Sequence, residues 1–360
     1  MAYTTINKPS EYFNTVTYTG DGTSPRTITG VNFQPDFTWI KRRTDDIGAN
    51  NSLYDSVRGA GSTKELSSNS TASEGSILAN TYGYLSAFAS DGFTLTDGTS
   101  GAGNADLLTN ASGKAYASWN WLASNTTASN TDGSITSTVS ANTTSGFSIV
   151  SFTAPASGNF TVGHGLSSPP EMIIIKNRDI TQSWFVLHKD LTSYTDRYLG
   201  LQTTNAESTY SMMSQTPSNS LLYLKVGATA DANNNHIIYC FNSVKGFSKF
   251  GSYVGNNNAD GTFVYTGFSP SFVLVKRYGG GTQNWVIYDN KRNTYNLTNS
   301  TLRPNTSDVE ATNNGVDLLS NGFKFRSNDG DSNGYSDGYI YMAFAENPLV
   351  GTNNIPACAR

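Results

Sequence analysis

Charge is scarce in this chain. Only 14 % of its residues are Asp, Glu, Lys or Arg, and the net charge is -4. A phosphate backbone demands a concentrated basic surface, so a nucleic-acid partner is excluded. Cysteine is nearly absent: Cys240 in an apolar stretch and Cys358 in the polar tail read as one buried and one exposed thiol, not a disulfide. The three histidines, His164, His188 and His236, fall in no HExxH, GxSxG or metal-ligand spacing. Residues 59–64 (GAGSTK) lack the full phosphate-loop pattern and sit in no β-α unit. No apolar run approaches the roughly 20 residues that span a bilayer. The start, MAYTTINKPSEYF, has neither the basic nor the apolar region of a signal peptide, so the expectation is a soluble chain made in a cytoplasm with no membrane partner. Helical periodicity is missing as well, although residues 73–89 have room for a short helix.

What remains is a sequence of turns and short strands. Aromatics stand at 12 %, which separates it from disordered chains, and 34 glycines accompany abundant Ser, Thr and Asn. Apolar and polar residues alternate over 147–152, 262–266, 323–325 and 339–344, as half-buried strands require. Asp91-Gly92, Asp260-Gly261 and Asn321-Gly322 supply turn signals between them.

One phrase is written three times. Pro35 to Lys41 (PDFTWIK), Pro170 to Lys176 (PEMIIIK) and Pro270 to Lys276 (PSFVLVK) each place a lysine six positions after a proline. Gly146-Phe147-Ser148 recurs as Gly246-Phe247-Ser248. Leu53-Tyr54-Asp55, Val186-Leu187-His188 and Ile287-Tyr288-Asp289 correspond, and each copy closes on an aromatic-flanked strand at 116–121, 236–241 and 339–344. The expectation is an all-β protein of three tandem antiparallel β-sandwich domains, jelly-roll or immunoglobulin-like, over residues 1–124, 125–246 and 247–360, the last with a C-terminal tail. Residues 124–132 (SNTTASNTD) read as the linker. The repeated proline suits the start of a strand. The lysine reads as the point where that strand emerges into water, and Trp39, Trp184 and Trp285 read as core anchors.

The most specific candidate site is Asp329, Asp331, Asn333 and Asp337, which match the front half of a calcium loop. Ile340 stands where the closing bidentate acid belongs, so any calcium affinity is weak, and an ordinary Asp/Asn/Gly turn accounts for the same residues. Reduced versions occur at 231–235 and 97–106. No other cofactor and no catalytic set is indicated, and dividing the acids among three similar domains disfavours a polysaccharide-cleaving pair.

The phrases MAYTTINKPSEYF, PDFTWIKRR, LYDSVRG, LSAFASDGFTL, YASWNWLA, GHGLSSPPEMIIIKNRD, SWFVLHKDL, DGTFVYTGFSPSFVLVKR, NWVIYDNKRN and YIYMAFAENP together resemble a family of structural proteins of tailed bacteriophages common in marine phages. The likeness covers about residues 1 to 350. It implies a non-enzymatic virion component, fibre-like or decorating, partnered by capsid or tail proteins. A homo-oligomer is expected, with a trimer favoured by analogy. The alternative is a host-attachment module binding a surface glycan, separable from the first by whether aromatics of the loop-rich segments, such as Tyr82, Tyr84, Tyr194, Tyr210, Tyr278 and Tyr335, form an exposed cluster.

Overall fold

A computed structural model describes residues 3–45, 48–76, 78–101 and 104–351, so Cys358 and nearly all of the tail lie outside the described residues. The chain is all-β and every ladder between its strands is antiparallel. Among the described residues, helix is limited to the turn Pro9–Glu11 and to Ala79–Tyr82, inside the stretch with room for one. Among the described residues, no helix is long and apolar enough to cross a membrane.

Each copy builds one sheet by the same rule. In the first, Phe13–Thr19, Ala115–Trp121, Phe37–Arg42 and Ser52–Asp55 lie side by side in that order. In the second the order is Phe147–Thr153, Asn235–Phe241, Met172–Asn177 and Phe185–His188; in the third it is Ser248–Val254, Gly338–Pro348, Phe268–Arg277 and Trp285–Asp289. Register confirms the correspondence. Phe37 faces Trp121, Met172 faces Phe241, and Phe272 faces Phe344, each two residues after the repeated proline. In the third copy the strand begins before Pro270, and the ladder shifts register there because proline has no N–H to donate. The Gly-Phe-Ser phrases are not equivalent in the ladder. Phe147 faces Phe241, whereas Ser248, not Phe247, faces Phe344, a slip of one residue.

These sheets are buried on both faces, which explains the unbroken apolar runs Met172–Ile175 and Phe272–Val275, and Thr38 in the first copy is fully buried too. Alternate residues divide between two cores. Phe37, Trp39, Met172, Ile174, Phe272 and Leu274 enter one central cluster shared by all three copies. Ile40, Ile173, Ile175, Val273 and Val275 point the other way, into clusters private to each copy. At the middle of the shared cluster the equivalent residues Trp121, Phe241 and Phe344 touch pairwise, with ring centroids 6.4, 5.9 and 6.3 Å apart. The copies are therefore related by a threefold pseudosymmetry inside one chain. Burying an aromatic side chain contributes about 1.5–3 kcal/mol, so this cluster makes the copies depend on one another.

An outer sheet covers each private core. It has three strands in the first copy (Arg26–Thr29, Gly92–Thr96, Tyr84–Ala89) and four in the third (Phe263–Tyr265, Gly322–Phe325, Ala311–Leu319, Thr298–Thr301). In the second it has only two, Asn159–Gly163 and Leu221–Lys225, although the sheet beneath is widened to eight by Arg197–Gly200 and Ser208–Thr209 at one end and Ser137–Asn142 and Ala128–Asn130 at the other. The stretch read as a linker thus supplies the edge strand Ala128–Asn130, and the Asn125 N–H donates to Asp36 at 3.0 Å.

Candidate functional site

The repeated lysines are not solvated. Lys41, Lys176 and Lys276 are 1 %, 0 % and 0 % exposed, which corrects the expectation that each marks a strand emerging into water. Lys176 Nζ donates to the Thr71 carbonyl of the first copy at 2.8 Å, and Lys276 Nζ to the Thr204 carbonyl of the second at 2.9 Å. Lys41 Nζ donates to the Thr306 carbonyl of the third copy at 2.7 Å. Each copy grips the one before it, and the first grips the last, so the ring closes. The Gln182 and Gln283 carbonyls take a further bond each, both 2.6 Å, which keeps the buried ammonium groups hydrogen-bonded. Even so, burial pushes Lys176 down to about 8 and Lys276 down to about 7.

The receiving segments repeat as well. The N–H groups of Glu310, Glu74 and Glu207 donate to the carbonyls of Arg43, Arg178 and Tyr278 at 3.0, 2.9 and 3.1 Å. Arg43 grips Glu310 with two bonds of 2.9 Å, and Arg178 pairs with Glu74 in the same way; Tyr278 replaces the arginine in the third copy, and Glu207 instead accepts the Thr192 N–H at 3.1 Å. The carboxamides of Asn69, Gln202 and Asn305 accept the N–H groups of Asn51, Trp184 and Trp285 at 2.9, 3.0 and 3.0 Å. Those three side chains then cross the copy boundary: Asn51 Nδ2 reaches the Thr306 carbonyl at 3.1 Å, Trp184 Nε1 that of Ser67 at 2.8 Å, and Trp285 Nε1 that of Gly200 at 3.0 Å. All three expected core tryptophans are buried, but the counterpart of Trp184 and Trp285 is Asn51 rather than Trp39. The signal for these latches was a carboxamide, a threonine and a glutamate in succession at 69, 71 and 74, again at 202, 204 and 207, and at 305, 306 and 310.

Asp55, His188 and Asp289 form a third set. Asp55 lies 2.5 Å from Arg58 and accepts the Tyr239 hydroxyl of the second copy at 2.8 Å. Asp289 lies 2.6 Å from Arg292 and accepts Trp119 Nε1 of the first copy at 3.0 Å. In the second copy His188, pushed down to about 4 by burial, takes the acid's place, and buried Leu191 stands at the arginine position. The ion pair has been replaced whole. Losing one partner alone would strand a buried charge, which costs about 3–5 kcal/mol.

The four calcium candidates each have protein partners. Asp331 accepts the Asn284 N–H at 2.7 Å and Arg303 at 3.0 Å, and Asp337 pairs with Arg277. Asn333 donates its amide to Asn256, Asn258 and Ser327, and Asp329 accepts the Asp331 N–H at 2.8 Å. Among the described residues, no three His, Cys, Asp or Glu side chains are grouped to hold a metal ion. The histidines serve the backbone: His164 bonds the Ser218 carbonyl at 3.1 Å, His188 accepts the Asp190 N–H at 3.1 Å, and His236 accepts the Asp231 N–H at 3.1 Å. The six tyrosines do not gather in one place. They are spread over the three copies, with Tyr194 bonded to the Pro170 carbonyl and Tyr335 lying under Arg277.

A sequence profile described as a domain of unknown function (DUF7483) matches residues 8–348, taking in all three copies. The chain belongs to the DUF7483 family. No curated protein and no solved structure matches it. Among the openings on the surface of this DUF7483 chain, two bear on function. The larger, about 690 Å³, lies where the second copy meets the third and presents Lys189, Lys245, Lys249, Tyr3 and Tyr265. Lys245 stands 4.5 Å over the Tyr3 ring, Lys249 donates to the Tyr265 carbonyl at 2.7 Å, and Lys189 pairs with Asp190 at 3.0 Å. The smaller, about 210 Å³, lies in the second copy and is lined by Phe185, Tyr198, Tyr210, Met212, Gln182 and Asp231.

Proposed function

We propose that the chain is a non-enzymatic structural protein of a tailed-phage particle, exposed on its surface as a fibre-like or decorating component. The observation that carries this reading is the closed ring: the repeated lysines, glutamates and carboxamides are engaged in binding copy to copy. Each copy is read as an antiparallel β-sandwich of inner and outer sheet, three in tandem, and the resemblance to phage structural proteins supplies the setting. Synthesis in the host cytoplasm and incorporation into the virion follow from it, with capsid or tail proteins as partners. Association of chains, with a trimer favoured, would use the outer surfaces, because the inner faces are already covered within the chain. A specific attachment buries at least roughly 1,000 Å². With so little charge available it should survive salt better than one built on ion pairs. The test is to wash purified particles in about 1 M salt and quantify this protein by mass spectrometry against the major capsid protein. Retention at fixed stoichiometry supports the reading, and absence from washed and unwashed particles alike refutes it.

A second reading, attachment to a host glycan, is favoured by the smaller opening. It combines aromatic walls with hydrogen-bonding side chains, the pairing that sugar rings require.

A further inference from the structure

The smaller pocket exists because the second copy is built unevenly. Its inner sheet has eight strands and its outer sheet two, so the end carrying Phe185–His188 and Arg197–Gly200 is roofed by loops instead of strands. The internal comparison is direct. Phe185 occupies the place of Ser52 in the first copy and Val286 in the third, both fully buried, but it is itself half-buried with its ring edge-on to Tyr198 at 5.2 Å and 87°. Tyr210, 52 % exposed, is held across the opening by a 3.1 Å bond from its hydroxyl to the Gly227 carbonyl.

Asp231 gives the pocket its polarity. It faces the repeated lysine of its copy as Asp331 faces that of the third. Asp331 is bonded to Arg303 and its side chain is 5 % exposed; that of Asp231 is 32 % exposed and pairs with no arginine or lysine within 4 Å among the described residues. Instead, Asn177 Nδ2 donates to it at 2.7 Å, and Gln182 Nε2 lies 3.4 Å from both its oxygens. Those donors fix the carboxylate and leave it lone pairs toward the opening. A ligand without hydroxyls would strand this acceptor, and an anion would be repelled by it. A cation has less to gain, since Lys176 already offsets the charge from behind. A volume of about 210 Å³ is below the range for drug-sized ligands and suits a single ring.

We propose that this pocket binds one neutral pyranose unit of a glycan, with Asp231 and Gln182 as hydrogen-bonding partners and Phe185, Tyr198 and Tyr210 as walls. The proposal rests on the attachment reading, and its test separates the two. Saturation-transfer NMR on the full chain would use free neutral hexoses and N-acetylhexosamines at about 10 mM, with glucuronate and choline alongside. At least one neutral sugar is expected to bind in the millimolar range. Tyr198→Ala, Tyr210→Ala and Asp231→Ala should each weaken it about tenfold or more, while Tyr335→Ala leaves it unchanged. Thermal melts confirm that each variant is folded, and the exposed Tyr210 carries the test if Asp231→Ala does not fold. Sugar binding that ignores the Tyr198 and Tyr210 variants overturns the pocket and leaves attachment standing. Preference for glucuronate or choline overturns the ligand class. No signal from any neutral sugar, together with no binding of the chain to immobilised host glycans, overturns both.

Discussion

A buried ammonium must keep its donors occupied or give up its proton, and Lys276 is pushed toward the second course. In the unfolded chain it holds its proton to about 10.5 and in the fold only to about 7. Between those limits the unfolded state binds more protons, so this residue's contribution to stability rises with pH. Lys276→Met removes that gain and leaves the Gln283 carbonyl without its donor, while the Thr204 carbonyl keeps only the Gln283 N–H, for a loss of about 1–3 kcal/mol. Urea unfolding at about pH 6 and about pH 9 should show the deficit growing with pH; a constant deficit would contradict the burial argument. Glu65 runs the opposite way. Burial raises it from 4.5 to about 8, against the lowering pull of its hydrogen bond from Ser52. The folded state keeps a proton that the unfolded state has lost, so stability falls as pH rises from about 4.5 to about 8. Glu65→Gln should therefore gain on the parent chain between about pH 5 and about pH 8, and parallel unfolding curves would contradict this.

At the scale of elements, the turn holding Asp329, Asp331, Asn333 and Asp337 behaves as a wedge between strands, its side chains committed to Asn284, Arg303, Arg277 and Asn256. Calcium at about 1 mM is expected to leave the melting temperature unchanged. Calorimetry giving a micromolar affinity, lost in Asp331→Ala, would reverse that expectation. The strands themselves were legible from the turn signals and the apolar runs after the prolines, but the alternation at 147–152 and 339–344 misread those two as half-buried, because the shared cluster covers the face that would otherwise meet water. The latches were not. A lysine at a strand end reads the same whether its ammonium meets water or a carbonyl, and the recurring carboxamide, threonine and glutamate mark the receiving segments without saying that the Thr71, Thr204 and Thr306 carbonyls take the lysines. The pocket was half legible. Tyr210 was named in advance, but the narrow outer sheet that leaves Phe185 and Tyr198 uncovered depends on which strands form over the second copy.

At the scale of the whole molecule, the three copies share one cluster, and each presents to it a face that cannot stand in water: in the second, Met172, Ile174, Tyr239 and Phe241. The full chain is expected to unfold in a single transition with matching calorimetric and van't Hoff enthalpies, and residues 125–246 alone should aggregate or melt without cooperativity. Separate transitions, or a soluble folded excised segment, would show the copies to be independent. The closing bond of the ring also has a consequence for biosynthesis. Lys41 and its acceptor at Thr306 are 265 residues apart. A ribosome adding about 5–20 residues per second needs roughly 10–50 s to traverse that interval. Phe13 and Phe37, and through the later part of the interval Trp119 and Trp121 as well, have been made while the last sheet they pack against has not. The first copy is thus translated before the other two and sealed last, and a polysome carries many such unsealed copies close together. A product terminated before residue 304 lacks the segment that receives Lys41 and Asn51, so it cannot shut.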